Sequence, residues 1–164
     1  RQYLVLKRLG ATPLGRGRLL GAKTIAIGLL LAVQVVVLSA VSLALGWDPE
    51  VSGVPLALAG IVLATVGFAG LGLLMAGTLR GEMTLALANG LYLVLLLLGG
   101  MIVPLEELPG PVRTLAELLP AAALADITAG ALTAGGEIAT RSWVVLLVWA
   151  LVAPAAAVRW FRWE

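Results

Sequence analysis

Residues 54–103 read VPLALAGIVLATVGFAGLGLLMAGTLRGEMTLALANGLYLVLLLLGGMIV. Two apolar runs, 54–79 and 83–103, are separated only by Arg80-Gly81-Glu82. A helix crosses the hydrocarbon core of a bilayer, about 30 Å thick, with about 20 apolar residues. Each run is long enough, and three polar residues make a tight turn between them. No ten-residue alternation of apolar and polar positions suggests a barrel strand. The stretch therefore predicts two membrane-crossing helices joined at one face of a bilayer.

The same pattern extends outward to two further apolar blocks, residues 24–46 and 142–158. Of 164 residues, 61% are hydrophobic and 12% charged, with mean hydropathy +1.07. Soluble domains carry about 25% charged residues. The expected fold is all-α: a polytopic membrane helix bundle with four transmembrane helices at 24–46, 54–79, 83–103 and 142–158. Residues 1–164 read as a single, partial membrane domain beginning at Arg1 rather than Met.

Lys and Arg set the orientation. If residues 1–23 are cytoplasmic, the inner side holds Arg1, Lys7, Arg8, Arg16, Arg18, Lys23, Arg80, Arg159 and Arg162. The outer side then holds only Arg113 and Arg141. Both ends of the chain are thus expected in the cytoplasm. Trp47 and Trp143 fall at outer ends of spans, and Trp160 and Trp163 at the inner end, as an aromatic belt requires.

Residues 104–141 are neither a span nor an ordinary loop. Pro109-Gly110-Pro111 is a turn, and Val112–Leu119 has Val112, Leu115, Ala116, Leu118 and Leu119 on one face. Arg113 and Glu117 lie four apart opposite them, a favourable helical pair. Pro120 is expected to stop this helix. Ala121–Ala134 then reads as a second apolar helix, too short to cross and closed by Gly135-Gly136. The expectation is an extracytoplasmic hairpin, re-entrant or interfacial, whose acids are Glu106, Glu107 and Asp126.

Residues 1–23 carry six cations and no acid. As a helix, Gln2–Leu9 puts Tyr3, Val5, Leu6 and Leu9 on one arc and Arg1, Lys7 and Arg8, with Leu4 among them, on the other. Thr12 suits an N-cap and Pro13 a first helical position. Two readings stay open: an anchor on anionic lipid, and a docking helix for a cytoplasmic partner.

The run LKRLGATPLGRGRLLGAK resembles the cytoplasmic segment of ABC-2 type transporter permeases, the membrane subunits of bacterial ATP-binding-cassette exporters. Leu6, Lys7, Arg8, Leu9, Ala11, Thr12, Pro13 and Leu14 carry the likeness. LALANGLYLVLLLLGGMIVPLEELPGPVRTLAELLP resembles the family's fifth span and following hairpin through Gly100, Pro104, Leu108, Pro109, Leu119 and Pro120. FRWE resembles a family C-terminus. The resemblance implies the third to sixth spans of a six-span subunit in a bacterial inner membrane. It implies that Arg1–Leu9 contributes to a coupling helix docking a cytoplasmic ABC ATPase subunit, with Arg1, Tyr3, Leu4, Lys7 and Arg8 as docking residues. It also implies a second permease copy, alike or related, and export of substrate past the hairpin. Many members carry a cation shortly after the hairpin aspartate; here Asp126 is followed by Ile127-Thr128-Ala129-Gly130. A substrate or pairing role tied to that charge is therefore not carried over. The hairpin reads either as a cap over the bundle or as part of the exit.

The spans contain almost no ionisable groups. Their polar residues are Gln34, Ser39, Ser42, Thr65, Thr78, Thr84 and Asn89. Gln34 and Asn89 are the candidates for lining a path, with interhelical hydrogen bonding as the alternative. Gly67, Gly70, Gly72 and Gly77 let helices approach closely, and Gly72 with Ala76 forms a small-xxx-small pair. There is no Cys and no His, so disulfides, imidazole metal ligands and His acid–base chemistry are excluded. No buried carboxylate relay suits a proton-coupled pump. No G-x-x-x-x-G-K-[ST] loop is present to cradle ATP, so ATP and Mg are expected on the partner and no cofactor on this chain. The chain is not expected to be an enzyme or to bind nucleic acid; its other partners are membrane lipids. The expected function is an exporter permease for an amphipathic drug- or lipid-like substrate. The alternatives are a non-transporting membrane scaffold or assembly protein and an ATP-independent channel.

Overall fold

The computed structural model describes the backbone of residues 16–160 and side-chain exposure for Ala26 and residues 28–160. The amphipathic helix expected over Gln2–Leu9, the cap at Thr12-Pro13 and the FRWE tail lie outside the described residues. The chain forms two compact units, residues 1–48 and 49–164. The described part of the first is helix α1, Arg16–Ala44. From Gly28 onward α1 is apolar on every face, with Leu29, Leu30, Val33, Val36, Val37 and Leu38 all exposed. A helix apolar all round is built for lipid or for a large interior. A turn at Leu45-Gly46 closes it, and Gly46 takes φ 92°, a left-handed conformation open to glycine.

The second unit holds α2 (Val54–Thr78), α3 (Gly81–Leu98), α4 (Gly110–Ala116), α5 (Pro120–Leu132) and α6 (Thr140–Trp160). Short 3₁₀ turns at Val51–Gly53 and Leu105–Glu107 precede α2 and α4. The described residues contain no strand. Three helices here are long and apolar enough to cross a membrane, with the 3₁₀ turn counted into the first: Val51–Thr78, Gly81–Leu98 and Thr140–Trp160. The bent pair α4 and α5 would make a fourth if it counted as one span.

Small side chains decide the packing. The buried residues of α2 are Ala57, Gly60, Ala64, Gly67 and Gly70, steps of three and four that keep them on one face. α6 lies along that face: a Cβ on Gly67 would be 3.4 Å from the Trp149 carbonyl carbon, and one on Gly70 would be 2.4 Å from the Pro154 nitrogen. Both helices advance together through these contacts, so they run parallel. α5 runs the opposite way, with Ala131 at Gly53 and Ile127 at Gly60. The core where the three meet is Ala64, Ala123, Ile127, Val145 and Leu146. Between lipid-embedded helices, dispersion contacts at such short separations replace the water-driven term. Pro154 sits inside α6, where it removes one backbone hydrogen bond, and the side-chain-free Gly70 accommodates its ring.

α3 differs in having no buried residue. It returns antiparallel to α2 after Leu79-Arg80, tied by a long hydrogen bond from Thr84 Oγ1 to the Met75 carbonyl at 3.5 Å. The sequence predicts this span to run to Val103, but the helix stops at Leu98. Gly99 is buried beside Ala121 and Gly100 adopts φ 73°, turning residues 99–103 away from the helix axis. The first hairpin helix also ends earlier than its sequence pattern, at Ala116 rather than Leu119. Leu119 precedes a proline and is extended, with ψ 141°, because the proline ring disfavours α geometry in the residue before it. Pro120, expected only as a stop, is the first residue of α5, where its missing N–H costs nothing. The bend between α4 and α5 is 83°. The segment is a corner, with α5 along the bundle and α4 turned across it, rather than two helices folded back on each other.

Candidate functional site

The corner is held by two carboxylates, each reaching α6 or the loop before it. Asp126 on α5 accepts from the Ser142 hydroxyl at 2.6 Å and from the Ala139 backbone N–H at 3.2 Å, both on Oδ2. Ser142 is the one buried polar residue among those described. Ala139 lies in the loop that ends at Thr140, so one oxygen fixes the entry of α6 against α5. Of the other expected hairpin acids, Glu106 shares a cavity of about 230 Å³ with Asp126, lined also by Gly100, Pro104, Leu105 and Ala122. Glu107 is exposed.

Glu117, in the bend, accepts from Arg113 Nε at 2.9 Å and is also paired with the Arg141 guanidinium. Its carboxyl is held below its ordinary pKa of 4.5, first by the hydrogen bond from Arg113 and then by that from Arg141. The Arg113–Glu117 pair is legible as an i, i+4 spacing. The Arg141 partner is not, since it stands 24 residues further on. Trp149 adds a third tie, its indole N–H donating to the Leu118 carbonyl at 2.9 Å. Leu118 has no helical partner for that carbonyl after α4 ends. Nothing local in the sequence marks Arg141, Ser142 or Trp149 as partners of the corner; only the start of an apolar block is visible there.

The path-lining candidates are exposed and lie in different units. Gln34 is on α1 and Asn89 on α3. On α3 the groove-facing residues are Ala88, Leu91, Tyr92, Leu95 and Leu96, which with Phe68 and Met75 of α2 line an apolar groove of about 300 Å³. Asn89 falls beside that row, on the face of Leu85 and Leu93 that no described residue of this unit covers. Thr65 and Thr78 donate to the carbonyls of Ile61 and Leu74 in their own helix, the usual solution for a membrane threonine. Gly72 and Ala76 are exposed, and a Cβ on Gly72 would meet nothing within 4 Å. The docking candidates Arg1, Tyr3, Leu4, Lys7 and Arg8 lie outside the described residues. Among the described residues no group of three or more acids is arranged to hold a metal ion.

The described residues of the second unit form a bundle with apolar, uncovered helix faces and a polar corner at one end. In the corner Glu117 pairs with Arg113 and Arg141, and the Asp126 carboxylate is taken up by the Ser142 hydroxyl and the Ala139 N–H. A comparison with protein families matches residues 1–132 to the family described as ABC-2 type transporter. The match ends at the last residue of α5. None of the curated proteins and none of the solved structures compared with the chain matches it.

Proposed function

The chain belongs to the ABC-2 type transporter family, and on that premise we propose that it forms part of an export path driven by a separate cytoplasmic ATPase. As a family member it is a multi-pass membrane component of an ABC transporter, not itself catalytic, and it works with an ATP-binding subunit. The proposal adds the coupling route, the cargo class and the setting. Residues 1–9, with Arg1, Tyr3, Leu4, Lys7 and Arg8, dock the ATPase subunit. A second permease copy completes the path. The membrane is a bacterial inner membrane, both ends of this chain face the cytoplasm, and the α4–α5 corner faces out.

The observation that carries the cargo class is the uncovered apolar face of α3 with a single amide, Asn89, on it. An amide left without a partner in hydrocarbon costs about 1–3 kcal/mol. The face therefore suits a second protein surface or a path holding polar groups, with no fixed charge to select a small ion. That supports an amphipathic drug- or lipid-like substrate. Energetically, ATP binding on the partner favours one packing of the spans through contacts that differ between two states.

The test is co-purification of the full-length protein with its ATPase. The double variant Lys7→Glu/Arg8→Glu should insert normally but lose the ATPase and its stimulation. Normal stimulation by that variant would remove the docking model.

A further inference from the structure

We infer that the flank of α6 below the corner is a site for a resident anionic phospholipid, with Arg113 and Arg141 on its headgroup and one acyl chain against α6. The inference does not depend on the transport reading above.

Three observations meet on this flank. First, Leu118, Val144, Val145, Val148, Trp149 and Val152 line an open groove of about 380 Å³ that is almost wholly apolar. From Val144 to Val152 the helix rises about 12 Å, most of the roughly 15 Å hydrocarbon depth of one leaflet. Second, Arg141 lies one turn before Val144 and Val145 on the same side of α6, so a cation stands at the head of the groove. Third, the ion network faces outward with its positive side. The Arg113 and Arg141 side chains are 46% and 51% exposed, whereas the Glu117 side chain between them is 11% exposed. Within the Arg113–Glu117–Arg141 network one shielded carboxylate and two half-exposed guanidiniums sum to one net positive charge, while the Asp126 carboxylate is not part of either ion pair and turns Oδ2 to Ser142 and Ala139. Each guanidinium has five N–H donors, and Glu117 engages one from each.

The floor of the groove is fixed rather than soft. Trp149 directs its N–H to the Leu118 carbonyl, so its polar edge is satisfied and its ring remains for apolar contact. Asp126, the acid on α5, is occupied through Oδ2 by Ser142 and Ala139. Position supports the assignment as well. Arg141 is at the first turn of a span-length apolar helix, where the hydrocarbon gives way to headgroups. A cation at that height with an apolar groove beneath matches an anionic amphiphile, and a phospholipid of the surrounding leaflet is the amphiphile always present.

The test is photo-crosslinking in the full-length protein with its ATPase, reconstituted without ATP in vesicles of equal phosphatidylglycerol and phosphatidylcholine. A photoreactive p-benzoyl-phenylalanine replaces Val148, and lipid adducts are identified by mass. The control position is Val62, exposed on α2 near the height of Val144, because Gly67 of α2 faces Trp149 and Gly70 faces Pro154. The expected ratio of phosphatidylglycerol to phosphatidylcholine adducts at position 148 is roughly five, the factor for one net cation near the surface. It should fall toward one in R113Q/R141Q and persist in R113K/R141K, which keeps the charge where the glutamine pair loses it. At position 62 the ratio should be near one. A ratio near one at position 148, or one unchanged in R113Q/R141Q, overturns the proposal. So does crosslinking to protein alone, which would mean that another segment covers the groove. Loss of the selective adduct on ATP turnover would identify cargo in transit and overturn residence.

Discussion

Gly70 of α2 and Pro154 of α6 meet backbone to backbone: a Cβ on the glycine would stand 2.4 Å from the proline nitrogen and 2.6 Å from its Cδ. Neither atom is the end of a flexible side chain, so relief requires the helices to separate. Gly70→Ala should therefore destabilise the protein by about 1–3 kcal/mol, the usual cost of overpacking. Gly72→Ala, two residues on with nothing within 4 Å, should be neutral or mildly stabilising, since alanine favours helix. Thermal unfolding of the two variants in detergent checks the contrast; equal behaviour would mean that α2 and α6 are not in close contact there.

Ile127 is fully buried between α2, α5 and α6. Ile127→Ala should cost about 2–5 kcal/mol through lost contacts and the cavity left behind. Gly60 lies against the same side chain, with Ile127 Cγ2 2.8 Å from where its Cβ would be. A Gly60→Ala/Ile127→Ala pair should therefore cost less than the sum of the two single variants, because the truncation removes the Cγ2 that the new methyl would strike. Simple additivity in unfolding measurements would mean the two residues do not touch.

Asp126→Ala should destabilise by about 1–3 kcal/mol, because Ser142 and the Ala139 N–H lose their acceptor. A double-mutant cycle with Ser142→Ala should give a coupling of at least about 0.5 kcal/mol. Activity, corrected for the amount of folded protein, should survive Asp126→Asn. A loss of transport in folded Asp126→Asn protein would move this residue from structure into the pathway.

The Glu117 network sets a pH dependence. Its carboxyl is held below 4.5, so its pairing with Arg113 and Arg141 contributes stability above that value and loses it as pH falls through the lower folded value. Glu117→Gln should remove that acid-side component and leave stability above about pH 5.5 flat with respect to this group. The check is unfolding temperature against pH for the two proteins; parallel curves below pH 4.5 would show that the pairs do not matter in solution.

A cysteine in place of Glu106, exposed in the 3₁₀ turn before α4, should react with an impermeant thiol reagent in intact cells. The background is the full-length protein freed of other cysteines. Reaction only after lysis would reverse the proposed orientation.

Much of the architecture was legible because membrane insertion reads local composition. Twenty apolar residues span a bilayer wherever they occur, so α2, α3 and α6 lie close to the blocks 54–79, 83–103 and 142–158. Pro120 marks the break between the two hairpin helices by a steric rule that acts on the residue before it, although its place as the first residue of α5 shows only in the fold. The Arg113–Glu117 pair follows from helical spacing alone. The sequence equally shows that no His or Cys chemistry is present and that the apolar blocks lack fixed charge.

What local composition does not specify is which faces meet. The glycines of α2 look alike in the sequence, yet Gly67 and Gly70 lie against α6 while Gly72 is open. Choosing among them depends on the crossing of two helices about 80 residues apart, a relationship that only the folded packing defines. The same holds for Arg141 with Glu117, Ser142 with Asp126 and Trp149 with Leu118, each between residues with no periodic relation. The sequence by itself determined the kind of spans and located three of them, α2, α3 and α6, because each helix satisfies its own backbone and partitions into lipid independently. The tertiary structure alone decided the α2–α5–α6 core, the bare α3 face and the charged corner above the α6 groove, because those rest on side-chain shape fitted across separate segments.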